Sequence, residues 1–276
     1  MPLYINTNVA SLESQRSLSN ASQSLNTSFQ RLSSGMRINT AADDAAGLGI
    51  SESLKAQTRS LSVAERNSNN AISMAQTAEG ALGQVGNMLG RMREIAVQGA
   101  NGDLTSTDRG FLNTEFLALR DEITRIADST KFNGKDLLSG ASTAIVFQVG
   151  INNTSADQIS VTFGGVDLTA LGINASTVDG ATATNAQNSI TALDTAIGAV
   201  STRRADFGAA MNRLGNTVSN LQSMRTNMSA ANSRIRDVDV AEESAALART
   251  QVLQQASVSI LSQANQSPQL ALSLLR

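Results

Sequence analysis

The fold is decided by residues 54–96, LKAQTRSLSVAERNSNNAISMAQTAEGALGQVGNMLGRMREIA, in which small and aliphatic residues recur every seven positions. One series comprises Leu54, Leu61, Ser68, Ala75, Leu82, Leu89 and Ala96, and its companion comprises Gln57, Ala64, Ala71, Ala78, Val85 and Met92. Two interleaved series of this kind form the contact line of a coiled coil. The stretch therefore predicts one long helix that packs lengthwise against another, and its small residues predict a close approach.

A second long helical pattern runs from Ile190 to Ile235, where apolar residues keep three- and four-residue spacing. The simplest fold pairs the two long helices antiparallel. A shorter helix between them is predicted to begin at a capping box formed by Thr105 and Asp108. Further apolar patterns at the two chain ends predict terminal helices that meet each other. The predicted fold class is mainly α: a long antiparallel, coiled-coil-like helical rod with terminal helices.

Between the two long helices the pattern changes. Within residues 143–166 apolar residues alternate with a period of two, which predicts two short strands joined by a polar loop. The sequence KFNGKDLLSG, residues 131–140, interrupts the helical pattern with two glycines. NASTVDGATATN, residues 174–185, predicts a loose connection, and Thr184 with Gln187 is a further capping-box pair. The small β-hairpin is thus the only β element that we predict.

The composition argues against several classes of function. The chain has no His and no Cys, so the usual general base, thiol nucleophiles and zinc clusters are missing. Its net charge of -2 gives no reason to expect nucleic acid as a partner. No stretch is long and apolar enough for membrane insertion. We predict no cofactor, no metal and no catalytic residue.

The two chain ends are unusually poor in charge. Glu13 and Arg16 are the only charged residues among the first 30, and Thr250–Leu275 contains none. A surface so short of charge is usually covered by another molecule. We favour other copies of this chain over a membrane surface, because interfacial helices normally carry Lys and Arg on their polar face. The predicted polymer contacts are Val9, Leu12, Leu18, Leu25, Phe29, Leu32, Val240, Leu247, Leu253, Ile260, Leu274 and Leu275.

Adjacent aspartates, Asp43 and Asp44, lie in a glycine-containing break before the long helix. They could form half a metal site, an acid/base pair or a helix cap. Capping is favoured, because no cluster of Asp or Glu stands nearby in the sequence to complete a cation site. Gly35 and Gly47 would let the chain bend or pack closely here. This stretch is predicted to be a jointed connection between the terminal helix and the long helix.

Several long motifs resemble bacterial flagellin, over roughly residues 1–140 and 185–276. They are INTNVASL (5–12), RLSSGMRINTAADDAAGLGISE (31–52), GRMREIAVQGAN (90–101), KFNGKDLL (131–138), SRIRDVDVAEESAALARTQVLQQA (233–256) and SQANQSPQLALSLLR (262–276). Their order and their distances from the chain ends also match that family. The resemblance implies a structural subunit that self-assembles into the flagellar filament, in a short form with little or no outer domain.

The resemblance also implies a division of the chain. Residues 1–36 would be the N-terminal helix of the inner filament core, 37–52 a connecting spoke, and 53–139 the N-terminal part of the helical rod. Residues 140–184 would be a short β and loop region in place of the variable outer domain. The C-terminal long helix of the rod would be 185–236, and 237–276 the C-terminal helix of the inner core.

Partners follow from the resemblance as well. They are copies of the same chain, a flagellar export chaperone, cap and hook-junction proteins, and a host toll-like receptor. The family's receptor patch corresponds to Arg91, Ile95 and Glu115, although Gly90 stands where a Gln is usual and Ile95 where a Leu is usual. The protein would be extracellular and exported without a cleaved signal peptide, because the N-terminus has neither a basic start nor an apolar run.

Three other functions remain as alternatives. A hook–filament junction protein would share the terminal helices but would not form long filaments alone. A coiled-coil interaction protein or membrane-surface protein would stay discrete in solution or bind liposomes. An enzyme that used Asp43 and Asp44 would lose its reaction, but not its assembly, on a double substitution to Asn.

Overall fold

The computed structural model describes the backbone of residues 7–273 and the side chains of residues 7–266. Within that range the chain forms five α-helices: α1 (Val9–Ser34), α2 (Ala45–Gly99), α3 (Ser106–Ser129), α4 (Thr184–Arg236) and α5 (Val240–Ser273). Four short strands complete it: β1 (Lys131–Phe132), β2 (Lys135–Asp136), β3 (Thr143–Gln148) and β4 (Gln158–Phe163). The predicted mainly α class with a small β-hairpin is confirmed.

The chain divides into two compact units. The first consists of Met1–Thr58 and Thr226–Arg276, and the second of Arg59–Arg225. Leu54 and Gln57 of the predicted contact line belong to the first unit and are half-buried. In the second unit the predicted contact line of α2 is confirmed, because all of its members there are buried. These are Leu61, Ala64, Ser68, Ala71, Ala75, Ala78, Leu82, Val85, Leu89, Met92 and Ala96. From Ala71 onward they share a core with the predicted face of α4, where Leu193, Val200, Phe207 and Leu214 are buried.

Ion pairs beside this core show that α2 and α4 run antiparallel within the second unit. From the N-terminal toward the C-terminal end of α2, the pairs are Glu65–Arg225 at 2.9 Å, Glu79–Arg204 at 2.8 Å and Arg93–Asp194 at 2.6 Å. Pairs this exposed contribute little stability. They do explain two polar positions, Arg204 and Arg225, within the otherwise apolar stripe of α4.

Helix α3 begins with the predicted capping box. The Thr105 hydroxyl accepts from the Asp108 amide at 3.3 Å, and the Asp108 carboxylate accepts from the Thr105 amide at 3.0 Å. One turn later Arg109 is buried and donates to the carbonyls of Gly99 and Asn101, both at 2.9 Å. Gly99 is the last residue of α2, and the last carbonyls of a helix carry partial negative charge. The guanidinium of Arg109 is therefore favourably placed at the end of α2.

The two β-hairpins differ in how well the sequence predicted them. Strands β3 and β4 pair antiparallel, and alternate residues of β4, Ile159, Val161 and Phe163, are buried. The short β1–β2 hairpin was missed. Its signal was Asn133–Gly134, since both residues have positive φ, 49° and 77°, as a type I′ turn requires.

Residues 174–183 are not a loose connection, which corrects the prediction. They have no regular secondary structure, but Val178 is fully buried and its amide donates to Asn113 at 3.0 Å. Ser189 on α4 donates to the Thr177 carbonyl at 2.7 Å. The predicted capping box at Thr184 is also wrong, because Thr184 is already helical. The backbone amide of Gln187 donates to the Ala183 carbonyl at 3.0 Å.

Candidate functional site: the terminal hairpin and its joint

Helices α1 and α5 of the first unit pack on each other as an antiparallel hairpin. At one end Asn8 donates to the Ala264 carbonyl at 2.8 Å. At the other end Arg31 lies 3.6 Å from Glu243. The two terminal helices therefore meet, as the sequence predicted.

The contact between these helices mixes polar and apolar side chains, and its fully buried members on α1 are polar. Ser11 and Ser28 are the buried residues of α1, and the Ser11 hydroxyl donates to Asn265 at 2.8 Å. The half-buried side chains of α5 follow seven-residue spacing, and half of the eight are polar or charged. They are Glu243, Ala246, Leu247, Thr250, Gln254, Ser257, Leu261 and Ala264. A contact of this composition excludes less apolar surface from water than one made of aliphatic side chains alone, so its hydrophobic stabilisation is smaller.

Several large apolar side chains lie on the outside of the hairpin. Of the predicted polymer contacts, Val9, Leu12, Phe29, Val240, Leu253 and Ile260 are exposed, and each shows between 49% and 61% of its surface. Leu18, Leu25, Leu32 and Leu247 are half-buried in the hairpin. Leu274 and Leu275 lie outside the described residues.

Sequence reasoning missed two members of this outer surface. Val252 is 64% exposed and Val258 is 52% exposed. They were overlooked because a single apolar stripe was traced along α5. The helix carries apolar residues on more than one side, which the wide scatter of its aliphatic positions could have indicated.

The joint is the segment between α1 and α2, and it is paired with the segment between α4 and α5. Helix α1 ends at Gly35, which has a left-handed φ of 70°. The Gly35 carbonyl accepts from the Val238 amide at 3.1 Å, and the Arg37 amide donates to the Arg236 carbonyl at 2.6 Å. Met36 and Asp237 form an antiparallel bridge. The two connections are thus held together by their backbones.

Both aspartates of the joint bind backbone amides. Asp44 immediately precedes α2, and its carboxylate accepts from the Gly47 amide at 2.8 Å, which is N-cap geometry. Asp43 accepts from the amides of Thr40 and Asn39, at 2.8 and 3.1 Å, and from the Thr40 hydroxyl at 3.0 Å. The Thr40 amide is the main cause that lowers the pKa of Asp43 below its ordinary value.

Gly47 is needed because the joint folds tightly over the start of α2. A Cβ at this position would lie 2.3 Å from a carboxylate oxygen of Asp44 and 2.8 Å from a methyl carbon of Ile38. Ile38 is itself buried. The predicted joint residues Gly35, Asp43, Asp44 and Gly47 therefore lie together, and their contacts are those of a structural turn.

A metal or acid/base role for the aspartates has no support in this geometry. Among the described residues no group of three or more His, Cys, Asp or Glu side chains comes close enough to hold a metal ion. The aspartate contacts at the joint are made to amides and one hydroxyl of neighbouring residues.

The three residues of the receptor-like patch have different environments. Arg91 and Glu115 are exposed and paired at 2.8 Å, and Arg91 also pairs with Glu94 at 2.9 Å. Both acidic partners raise the pKa of Arg91. Ile95 is only 1% exposed. It continues a three/four spacing from Met88 and Met92, so its side chain belongs to the core.

A fold of paired helices, ending in a hairpin that leaves its apolar side chains in solvent, is that of a structural subunit in a larger assembly. Within the described range, moreover, no helix has the combined length and hydropathy needed to cross a bilayer.

Comparisons with known proteins identify the assembly. The model of the bacterial flagellin N-terminal helical region matches residues 5–143, and that of the C-terminal helical region matches residues 190–275. A flagellin from Halalkalibacterium halodurans is 45% identical over 274 residues, covering 99% of this chain and 100% of that protein. Flagellin A of Vibrio cholerae is 34% identical over 379 aligned residues, and both chains are covered completely.

Among solved structures, that of a flagellar hook-associated protein from Vibrio parahaemolyticus has a TM-score of 0.60. It covers 71% of this chain and 100% of that chain at 17% identity, which shows a shared fold alone. The chain belongs to the bacterial flagellin family. It is a structural subunit of the flagellar filament and not an enzyme, and the hook–filament junction alternative is not favoured.

Proposed function

We propose that copies of this chain assemble into the filament through the outer apolar surface of the α1–α5 hairpin. The observation that carries the proposal is the arrangement of the hairpin, with serines buried inside and Val9, Leu12, Leu253 and Ile260 outside. Covering each such aliphatic side chain contributes about 1.5–3 kcal/mol when burial is complete. Neighbouring hairpins would supply this cover.

Electron microscopy after heat dissociation and reassociation tests the proposal. We expect the purified chain to form filaments and a chain lacking residues 240–276 to form none. Substitution of Val252 and Val258 by Ser should raise the protein concentration needed for assembly. The matched control is Val63→Ser, which removes a 45% exposed valine of the second unit. Normal filaments from the deleted chain would contradict the role given to the hairpin.

The domain assignment is part of the same proposal. Residues 1–36 and 237–276 would build the inner filament core, and 53–139 with 185–236 the helical rod. Residues 37–52 would be the spoke, although α2 already begins at Ala45 within it. Residues 140–184 would stand in place of an outer domain, supported by the small size of the β3–β4 hairpin and its connections.

Further partners are proposed for the same surfaces. An export chaperone would cover the apolar side chains of α5 before assembly, and cap and hook-junction proteins would contact hairpins at the two filament ends. Export would proceed without a cleaved signal peptide. Mass spectrometry of secreted protein, with the initial Met or an adjacent residue as its N-terminus, would support this route, and a shortened N-terminus would contradict it.

Recognition by a host toll-like receptor is proposed to rest on Arg91 and Glu115. Their exposed ion pair supports this choice, whereas the side chain of Ile95 is buried within the chain. A reporter assay on cells that express the receptor tests the idea. Loss of signal on Arg91→Ala, with the fold unchanged, is the expected result, and no response to the parent chain would reject it.

A further inference from the structure

The chain contains two Asn–Gly pairs, Asn101–Gly102 and Asn133–Gly134. In such a pair the glycine amide nitrogen can attack the carboxamide of the asparagine, because glycine has no Cβ to obstruct the approach. All four residues are exposed, and across residues 7–266 no hydrogen bond engages either asparagine side chain. The two pairs have the same sequence, so a difference in their chemistry must come from their surroundings.

The carbonyl of the Asn101–Gly102 peptide is bound to a buried cation. Arg109 is only 3% exposed and donates to the Asn101 carbonyl at 2.9 Å. Its other bonds go to the carbonyls of Gly99 and Ala181, at 2.9 and 3.4 Å, and within the described range no carboxylate pairs with it. When Gly102 loses its amide proton, the negative charge spreads onto the Asn101 oxygen. The guanidinium stabilises that charge, because a buried donor is already aimed at the atom where it develops.

The Asn133–Gly134 peptide has no such cation. It forms the turn of the β1–β2 hairpin, with φ of 49° and 77°, and is closed by the pairing of Phe132 with Lys135. In the part of the chain that the structure describes, no Arg or Lys side chain donates to the Asn133 carbonyl. This second pair is therefore an internal control that shares the reacting groups and lacks the bound guanidinium.

We propose that Asn101 modifies itself, and that Arg109 both promotes the loss of its side-chain amide and directs the product to isoaspartate. In the first step the Gly102 nitrogen bonds to Cγ of Asn101, the bond from Cγ to the amide nitrogen breaks, and ammonia leaves with the proton of Gly102. Asp103 follows Gly102 and opposes the anion. Its side chain is exposed, however, so water screens its charge more than that of the buried Arg109.

The second step consumes one water molecule and needs no oxidant or cofactor. Water adds to the former backbone carbonyl of Asn101, the bond from that carbon to the Gly102 nitrogen breaks, and the nitrogen stays attached to Cγ. The oxygen that Arg109 already binds thereby becomes a carboxylate oxygen. A guanidinium–carboxylate pair is stronger than the bond to the neutral carbonyl, so this direction of opening is favoured.

Incubation of the folded parent chain at fixed neutral pH tests the proposal. Peptide mapping by mass spectrometry measures amide loss at both sites, and a protein-isoaspartate methyltransferase measures the isoaspartate. We expect Asn101 to react about tenfold faster than Asn133 or more, because a hydrogen bond to a charged group contributes at least that factor. In guanidinium chloride that unfolds the chain, the two rates and the two isoaspartate fractions should become similar.

Variants of Arg109 test its part directly. Arg109→Gln should lower the rate at Asn101 to about that at Asn133, which should not change, and Arg109→Lys should keep part of the acceleration. The matched control is Arg120→Gln, since Arg120 also lies on α3 and donates to a backbone carbonyl, that of Asn174, at 3.2 Å.

Three results would overturn the proposal. They are equal rates at the two sites in the folded parent chain, a preference for Asn101 that persists after unfolding, and a folded Arg109→Gln chain that reacts at Asn101 as fast as the parent or faster. If circular dichroism shows that Arg109→Gln does not fold, the comparison of folded and unfolded parent chain decides alone. Filament assembly does not enter either measurement, so the outcome is independent of the proposed function.

Discussion

The two helical contacts of this molecule differ in composition. In the second unit, α2 and α4 bury Leu82, Leu89 and Leu214 completely, and charged pairs lie outside. In the terminal hairpin, α1 buries serines and leaves Leu12 and Phe29 in solvent. Both contacts use helices of seven-residue periodicity. The first contact is completed within one chain, whereas the second leaves apolar side chains in solvent, where we propose that other copies cover them.

The largest effect should come from truncating the α2 core. We expect Leu89→Ala to reduce the stability of the second unit by about 2–5 kcal/mol, because it leaves a cavity at a fully buried position. Leu253→Ala should change the monomer by less than about 0.5 kcal/mol, because the site is exposed. Hydrogen exchange of the monomeric chain measures both. Equal losses of stability in Leu89→Ala and Leu253→Ala would contradict the difference between the α2–α4 contact and the hairpin.

A smaller effect is expected at the joint. Gly47→Ala should destabilise the first unit by about 1–2 kcal/mol, because the added Cβ overlaps the Asp44 carboxylate and disturbs the helix cap. Gly49→Ala is the matched control, since a Cβ there meets nothing within 4 Å. It should stabilise the helix by up to about 1 kcal/mol through propensity alone. Thermal unfolding of the two variants should therefore shift in opposite directions.

The hairpin contact can be made to resemble the α2–α4 contact. Gln254→Leu places an apolar side chain on the half-buried stripe and should stabilise the hairpin by about 1 kcal/mol, since burial there is partial. Gln255 is exposed, so Gln255→Leu should not stabilise the hairpin. Exchange protection of α1 amides in the monomer distinguishes them. Equal protection in both variants would mean that the half-buried stripe does not hold α1.

The smallest effect concerns pH. The folded pKa of Asp43 lies below its ordinary value of 3.8, so its contribution is complete above that value and disappears as the pH falls through the folded pKa. Amides of Asn39 and Thr40 should be less protected in Asp43→Asn than in the parent chain at neutral pH. The difference should vanish on strong acidification. A difference in protection that persisted at strongly acidic pH would contradict the prediction that the ionised carboxylate of Asp43 accepts these hydrogen bonds.

The sequence predicted features that depend on spacing along one helix or strand. The buried series from Leu61 to Ala96 and the Thr105 cap follow from local periodicity and local hydrogen bonding. Features that depend on several elements were less accessible. Ile95 lies outside the two predicted series but is buried in the shared core of the second unit, and Val178 is buried although its segment has no period at all.

The hairpin was predicted in part for the same reason. The scarcity of charge at the chain ends indicated that something covers them, and the exposed Leu12 and Ile260 agree with an incomplete surface. Which apolar residues would face inward depended on the rotation of α5 against α1. A pattern with apolar residues on several sides does not determine that rotation, so Val252 was overlooked.

The paired connections at the joint also determine how the first unit bears tension. Arg37 and Val238 bind the opposite connection through backbone atoms, at 2.6 and 3.1 Å, and Arg37 adds a side-chain bond to the Ile235 carbonyl at 2.8 Å. A force applied to α1 would therefore be shared between the α1–α2 connection and the α4–α5 connection. Because these bonds need no particular side chain except that of Arg37, most substitutions in the connections would leave this load sharing intact.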